Sequence, residues 1–328
     1  MQNSNVYLSE KLFQPDIKKV PTRNGYGEGL VIAGEKNKNV VVLCADLTES
    51  TRSEAFQKKF PERFVEVGVA EQNMASLAAG MALTGKIPFI SSYATFSPGR
   101  NNEQIRTTIA INNVNVKIAG AHAGISVGPD GATHQALEDM ALMRVMPRMA
   151  VIYPCDALEA KKATMVAAEI VGPVYLRFAR AGTPQFTTEQ TPFQFGKAEV
   201  FYEGKDVTIV VCGPLVYEAL LAAKELEKEN IFVEVINNHT IKPLDKNTIL
   251  ESVQKTKAIV TVEEHQVAGG MGSAVCEMLA QNFPVPVEMI GVEDRFGESG
   301  EPDELWNAFG LSSHHIIEAV KKVLKRKI

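Results

Sequence analysis

The chain has 328 residues, 45% of them hydrophobic and 22% charged, with a formal net charge of −5. That is enough apolar chain for two domain cores, and the acidic balance gives no general attraction to nucleic acid or an anionic membrane. No apolar run approaches the roughly 20 residues of a membrane span, and the opening MQNSNVYLSEKLF lacks the basic-then-apolar layout of a secretory leader.

Short β-branched runs alternate with helical patterns along nearly the whole chain, the mark of parallel sheets built from βα units, so the fold class is α/β. The first block predicts strands over Asn39–Ala45, Phe64–Val69, Pro88–Ser92, Val114–Ala119, Met149–Tyr153 and Val174–Phe178, with its clearest helix over Asp156–Ile170. The Pro-, Thr- and Gln-rich stretch Gly182–Gly196 breaks the rhythm and marks a domain boundary. A smaller α/β block follows. Its strands are Val207–Cys212, Phe232–Ile236, Ala258–Glu263 and Val287–Val292, and its helices are Leu215–Glu229, Asp245–Gln254, Met271–Gln281 and Ser313–Lys325. The four cysteines, Cys44, Cys155, Cys212 and Cys276, lie far apart with no CxxC pair. They fit buried thiols of a reducing cytoplasm, with neither a disulfide frame nor a metal site.

Two glycine-rich spots resemble ligand loops. Gly25-Tyr26-Gly27-Glu28-Gly29 lacks the preceding strand that a dinucleotide fingerprint requires. Gly269-Gly270-Met271-Gly272 follows a strand and opens a helix, and it reads as a tight packing turn.

The stretch AGAHAGISVGPDGATHQALE, from Ala119 to Glu138, gathers His122, Asp130 and His134 in a segment with no apolar period. It reads as a loop leaving a strand and entering a helix near Gln135, the place where open α/β sheets bind ligands. Glu71, in VGVAEQNM, is an isolated acid where a strand gives way to a helix. It is either a helix-start carboxylate or a partly desolvated acid that passes a proton.

VGVAEQNM, Tyr93-Ala94-Thr95-Phe96 and HAGISVGPDGATHQALED together resemble the pyrimidine-binding domain of transketolases, thiamine diphosphate enzymes that move a two-carbon ketol unit between sugar phosphates. Lys242-Pro243-Leu244-Asp245 and Asp294-Arg295-Phe296-Gly297-Glu298-Ser299-Gly300 resemble the transketolase C-terminal domain. The resemblance implies an N-terminal extension over 1–19, a pyrimidine-binding domain over 20–185, a linker over 186–198 and a C-terminal domain over 199–328.

The same resemblance assigns Glu71 to the cofactor's aminopyrimidine ring, where it passes a proton. Phe96 packs on that ring, with Tyr93 and Ile125 beside it. Asp130 reads a substrate hydroxyl, and His134 works near the reacting hydroxyls. His122, Arg52 and Arg180 grip the phosphate, a task suited to the planar guanidinium fork. Asn102 stands near where many relatives place an aromatic ring.

No Gly-Asp-Gly occurs in the chain, so the resemblance implies the C-terminal subunit of a split transketolase. The ligands for Mg²⁺ and the cofactor's diphosphate then belong to an N-terminal partner subunit, in an α2β2 assembly that acts on sugar phosphates. Two alternatives stay open at this point. One is the β subunit of a 2-oxoacid dehydrogenase or another thiamine-dependent relative; the other is a non-catalytic subunit that keeps the fold.

Overall fold

A computed structural model describes residues 1–327. The first part of the chain forms strands β1 (Lys19–Pro21), β2 (Val40–Cys44), β3 (Phe64–Glu66), β4 (Ile87–Tyr93), β5 (Lys117–Ala121), β6 (Ala150–Ile152), β7 (Val174–Arg177) and β8 (Gly182–Pro184). The second part adds β9 (Glu199–Tyr202), β10 (Val207–Val211), β11 (Val233–Asn237), β12 (Thr240–Lys242), β13 (Ile259–Gln266) and β14 (Val287–Val292).

A seven-stranded sheet runs β12-β6-β7-β5-β4-β2-β3 and a five-stranded sheet runs β14-β13-β10-β11-β9. Each is parallel except for one antiparallel edge strand, β12 in the first and β9 in the second. Strands β2, β5 and β10 are buried at every residue, as parallel strands covered on both faces must be. One apolar cluster lies under the outer face of the first sheet, around Tyr26, Phe89 and Leu176. Another joins the two halves, with Leu43, Ile90 and Ile118 packed in the same group as Val210, Ile236 and Ile259.

Every strand expected from the sequence is present, and the unexpected ones are short or at edges. Three-residue strands such as β1, β8 and β12 are too brief to show a period. Strand β8 pairs with β1, so the irregular stretch after Arg180 opens with ordered sheet. The N-terminal segment is part of the second domain's core, through buried Val6, Leu8 and Leu12. No helix starts at Gln135; it begins at Asp139, because Ala136 still bridges Ala123 and accepts the Gly124 N–H at 2.9 Å.

Both glycine-rich spots serve packing. Gly25 lies within the helix Thr22–Lys36, and a Cβ there would stand 1.8 Å from the carbonyl oxygen of Ala157 in the helix opposite. At the other spot the turn wraps a carboxylate of its own chain. Glu263 accepts the N–H groups of Met271 at 2.6 Å and Gly272 at 2.8 Å, so an internal acid fills that helix N-terminus. All four cysteines are free thiols, three buried and Cys276 half-buried.

Candidate active site

The site residues collect along the carboxyl ends of β3, β2, β4, β5 and β7, which are neighbours in the first sheet. Glu71 is the first residue of the helix Glu71–Leu83 and is 1% exposed. Its Oε2 accepts a hydrogen bond from Arg100 Nη1 at 2.8 Å, and its backbone carbonyl accepts from Asn101 Nδ2 at 3.1 Å. The Arg100 guanidinium lies over the Phe96 ring, 4.5 Å from its centre. Arg100 thus links the buried carboxylate to the Phe96 ring.

From Phe96 the contacts continue without a break. The His134 ring meets Phe96 edge-on at 5.6 Å and Tyr93 at 6.1 Å, and Tyr93 stacks on His122 at 4.0 Å. Thr133 Oγ1 lies 2.9 Å from His134 Nδ1 and orients that ring. Tyr93 therefore stands between an acid-and-aromatic end and a cationic end.

Arg23 organises the cationic end. Its Nη1 donates to the Ser50 carbonyl at 2.7 Å and to His122 Nε2 at 2.8 Å. Guanidinium only donates, so His122 Nε2 accepts and the proton of the neutral ring sits on Nδ1. Burial, reinforced by Arg23 and Arg180, pulls the His122 pKa down to about 3. Burial together with Arg52 and Arg180 also lowers Arg23 from its ordinary value. Three guanidinium groups around a neutral imidazole make a cluster that a bound anion relieves. Arg23 Nε is buried without a hydrogen-bond partner.

Arg52 and His122 both adopt left-handed backbone, with φ of 65° and 51°. That conformation is costly for a side-chain-bearing residue and clusters at functional sites. Arg52 Nε donates to Asn24 Oδ1 at 2.9 Å. Arg180 Nη1 donates to the Val127 carbonyl at 2.7 Å, and its Nη2 lies 3.9 Å from Asp130 Oδ1. Asp130 and Arg180 are each about a third exposed, on the open side of the cluster.

Glu71, Tyr93, Phe96, His122 and His134 thus stand in one run of contacts, and the three arginines with Asp130 close its far end. Ile125 lies outside this run of contacts. It is fully buried and packs into the second domain's apolar core, with Cδ1 close to Gly297. Asn102 lines a groove of about 520 Å³ with Ile111, Val145 and Met146. The side chain beside Phe96 is that of Arg100. Arg23 and Arg100 escaped the sequence reading. Arg100 follows Phe96 by four residues, a spacing that signals contact in a helical turn. Arg23 sits one residue into the first helix and carries no such signal.

Comparison with known proteins gives this geometry a lineage. Residues 18–185 match the family model "Transketolase, pyrimidine binding domain" and residues 196–316 match "Transketolase, C-terminal domain". The chain belongs to the transketolase family. It is 44% identical to a putative transketolase C-terminal section of Methanocaldococcus jannaschii, over 93% of this chain and 96% of that protein. It is 40% identical to the 6-deoxy-6-sulfo-D-fructose transketolase subunit SqwH of a Clostridium species, over 96% and 98% of the two chains. A solved split gene transketolase, described as an inactive beta4 tetramer, superposes with a TM-score of 0.89 at 47% identity, covering 94% of this chain and all of that one. The chain therefore corresponds to the C-terminal subunit of a split transketolase, within a family that uses thiamine diphosphate. No helix among the described residues is long and apolar enough to cross a membrane.

Proposed function

We propose that this chain supplies the acid, the aromatic wall and the anion cradle for two-carbon ketol transfer between sugar phosphates, in a cytoplasmic α2β2 complex. Its partner is a chain carrying the diphosphate-binding half and the Mg²⁺ ligands. One observation carries the reading: a buried carboxylate, Glu71, and a three-arginine cluster lie at opposite ends of a single run of aromatic and imidazole rings.

The residues fit the cofactor's aminopyrimidine ring. Phe96 offers a face for stacking, and Glu71 offers an acid for a ring nitrogen. Thiamine diphosphate, when bound, supplies the carbanion chemistry that breaks and forms the carbon–carbon bond. Glu71 holds and returns one proton at its carboxyl oxygen, with Arg100 pairing its charge in between. His134, oriented by Thr133, serves the reacting hydroxyls, and Asp130 accepts from a further sugar hydroxyl. Arg23, Arg52, Arg180 and His122 hold the terminal anion. Tyr93 fixes the spacing between the two ends.

The cradle recognises charge and hydrogen-bond geometry, which a sulfonate shares with a phosphate, and the Clostridium relative is named for a sulfonated sugar. The test is ketol transfer from xylulose 5-phosphate or 6-deoxy-6-sulfofructose, with ribose 5-phosphate as acceptor, thiamine diphosphate and Mg²⁺. This chain is assayed alone and then mixed with a chain carrying the Gly-Asp-Gly half. Transfer only in the mixture supports the proposal, and the preferred donor identifies the anion. Transfer by this chain alone overturns the split assembly. Silence in a demonstrated, cofactor-loaded complex overturns the catalytic role.

A further inference from the structure

The loop 124–135 carries Asp130 and His134, and within the first domain its one charged side-chain hold is Arg180, which donates to the Val127 carbonyl at 2.7 Å and lies beside Asp130. Gly124 has φ of 92° and Gly131 has φ of 75°, conformations that glycine adopts freely and that leave a loop with much entropy to lose. The second domain holds it at further points. Glu264, fully buried on β13, accepts the Ser126 N–H at 2.6 Å through Oε1 and the Tyr153 hydroxyl at 3.3 Å through Oε2. The carboxyl group fills the space beside Gly124, where a Cβ would stand 2.5 Å from Glu264 Cδ.

The same strand grips the loop's other foot. The Glu264 carbonyl accepts Arg177 Nη2 at 3.0 Å, and that nitrogen also donates to the Ala136 carbonyl at 3.1 Å. The Gln266 N–H donates to the Leu137 carbonyl at 2.8 Å. A second strap crosses the loop's mouth. Gln135 Nε2 lies within bonding distance of three carbonyls, those of Ile125 (3.0 Å), Gly128 (3.3 Å) and Glu298 (2.9 Å), the last from the second domain. A fully buried carboxyl group is costly unless its hydrogen bonds are made, and here the N–H it satisfies belongs to the other domain's substrate loop.

We propose that the C-terminal domain acts on the reaction by shaping this loop, with Glu264 as the principal positioning residue and the Gln135–Glu298 strap as its companion. The inference rests on the proposed sugar-binding roles of Asp130 and His134. It assigns the second domain, which adds no group to the run of site contacts, a direct part in substrate affinity. A displacement of about 1 Å in such a loop is enough to cost on the order of 100-fold in rate.

The experiment compares Glu264→Gln with Glu264→Met in the reconstituted two-chain complex. Glutamine keeps an oxygen to accept the Ser126 N–H; methionine fills similar volume without one. The expected result is a kcat/KM for the sugar phosphate at least ten-fold lower for Glu264→Met, within about three-fold of wild type for Glu264→Gln, and an unchanged thiamine diphosphate affinity. Hydrogen exchange on the complex adds a readout independent of turnover. Protection over 124–135 falls in Glu264→Met, while protection over β10 and β11 stays at the wild-type level.

Equal behaviour of the two variants, or loss of protection spread evenly over both domains, overturns the proposal. Absence of ketol transfer in the wild-type complex removes the functional reading, and the exchange pattern then still decides whether Glu264 shapes the loop. If Glu264→Met does not fold, Gln135→Met decides by the same two readouts: a ten-fold loss with local deprotection supports the proposal, and wild-type values overturn it.

Discussion

The two sheets are built alike, with parallel strands and helices opening at their carboxyl ends, yet one end is left open and the other is closed. In the first sheet, Arg23 bonds His122 while Arg52 and Arg180 add positive charge around it. In the second sheet the corresponding strand-to-helix turn is filled by Glu263, whose two oxygens take the N–H groups of Met271 and Gly272. Parallel α/β architecture offers both ends to an anion. The side chains decide which end receives one. A turn that supplies its own carboxylate is a packing device, whereas a cluster of cations with no acid of its own at its centre is the end proposed to receive an anion.

The largest way to break this comparison is at Glu71. Glu71→Gln in the two-chain complex is expected to lower kcat about 10²–10⁴-fold, the range of a lost proton-transfer group, with the complex still assembled by sedimentation. Activity within three-fold of wild type would return Glu71 to the role of a helix-start carboxylate. Arg23→Met removes a charged donor from the open end. It should reduce kcat/KM for phosphorylated sugars about 10–100-fold, in line with roughly 1.5–3 kcal/mol for hydrogen bonds to charged groups. An unphosphorylated ketose should respond far less, and an equal loss with both substrates would show that Arg23 only supports the fold.

At the closed end the effect should be on stability alone. Glu263→Ala leaves two helix-start N–H groups without a partner and is expected to cost about 1–3 kcal/mol in denaturant unfolding, with the KM for anionic sugars unchanged. Burial raises the Glu263 pKa to about 7. The folded state therefore holds a proton that the unfolded chain releases above the ordinary value of 4.5, so this group's stabilisation is present at low pH and is lost as pH rises toward 7. Glu263→Gln should flatten that part of the stability profile, and an unaltered slope between wild type and variant would contradict it.

The smallest effect is expected at His239, stacked on Phe193 at 4.3 Å and drawn to a pKa of about 3 by burial. Between its ordinary value of 6.5 and about 3 the unfolded chain binds the proton that the folded chain refuses, so stability falls as pH drops through this window. His239→Phe keeps the stack and should remove this acid sensitivity, read as a smaller fall in thermal midpoint between pH 7 and 5. A larger fall would show that the Nδ1 contact with Thr240 Oγ1, at 2.9 Å, matters more than the titration.

Much of this arrangement was legible along the chain because its signals are local. β-branched runs mark β2, β5, β10 and β13, and motif strings mark Glu71, Phe96, Asp130 and His134, since each role depends on residue type and on a strand end close in sequence. Arg100 had only its four-residue spacing from Phe96 to mark it, and Arg23 had nothing. Arg23 is ninety-nine positions from the His122 it contacts, and nothing in its own neighbourhood distinguishes it from a solvated helix-start cation. The packing of Ile125 was not legible, because a loop's sequence does not tell which of its apolar side chains turns inward. That choice was made by the second domain's core.

The sequence by itself determined the alternation of strands and helices, the two-block order and the membership of a family, all of which rest on patterns read within a few residues. Only the tertiary structure decided which helix start stays open, which cation lies against which acid, and that β13 of one domain bonds the 124–135 loop of the other. Those outcomes depend on desolvation and on hydrogen bonds between groups such as Ser126 and Glu264, 138 positions apart, whose meeting is fixed by packing of the whole chain.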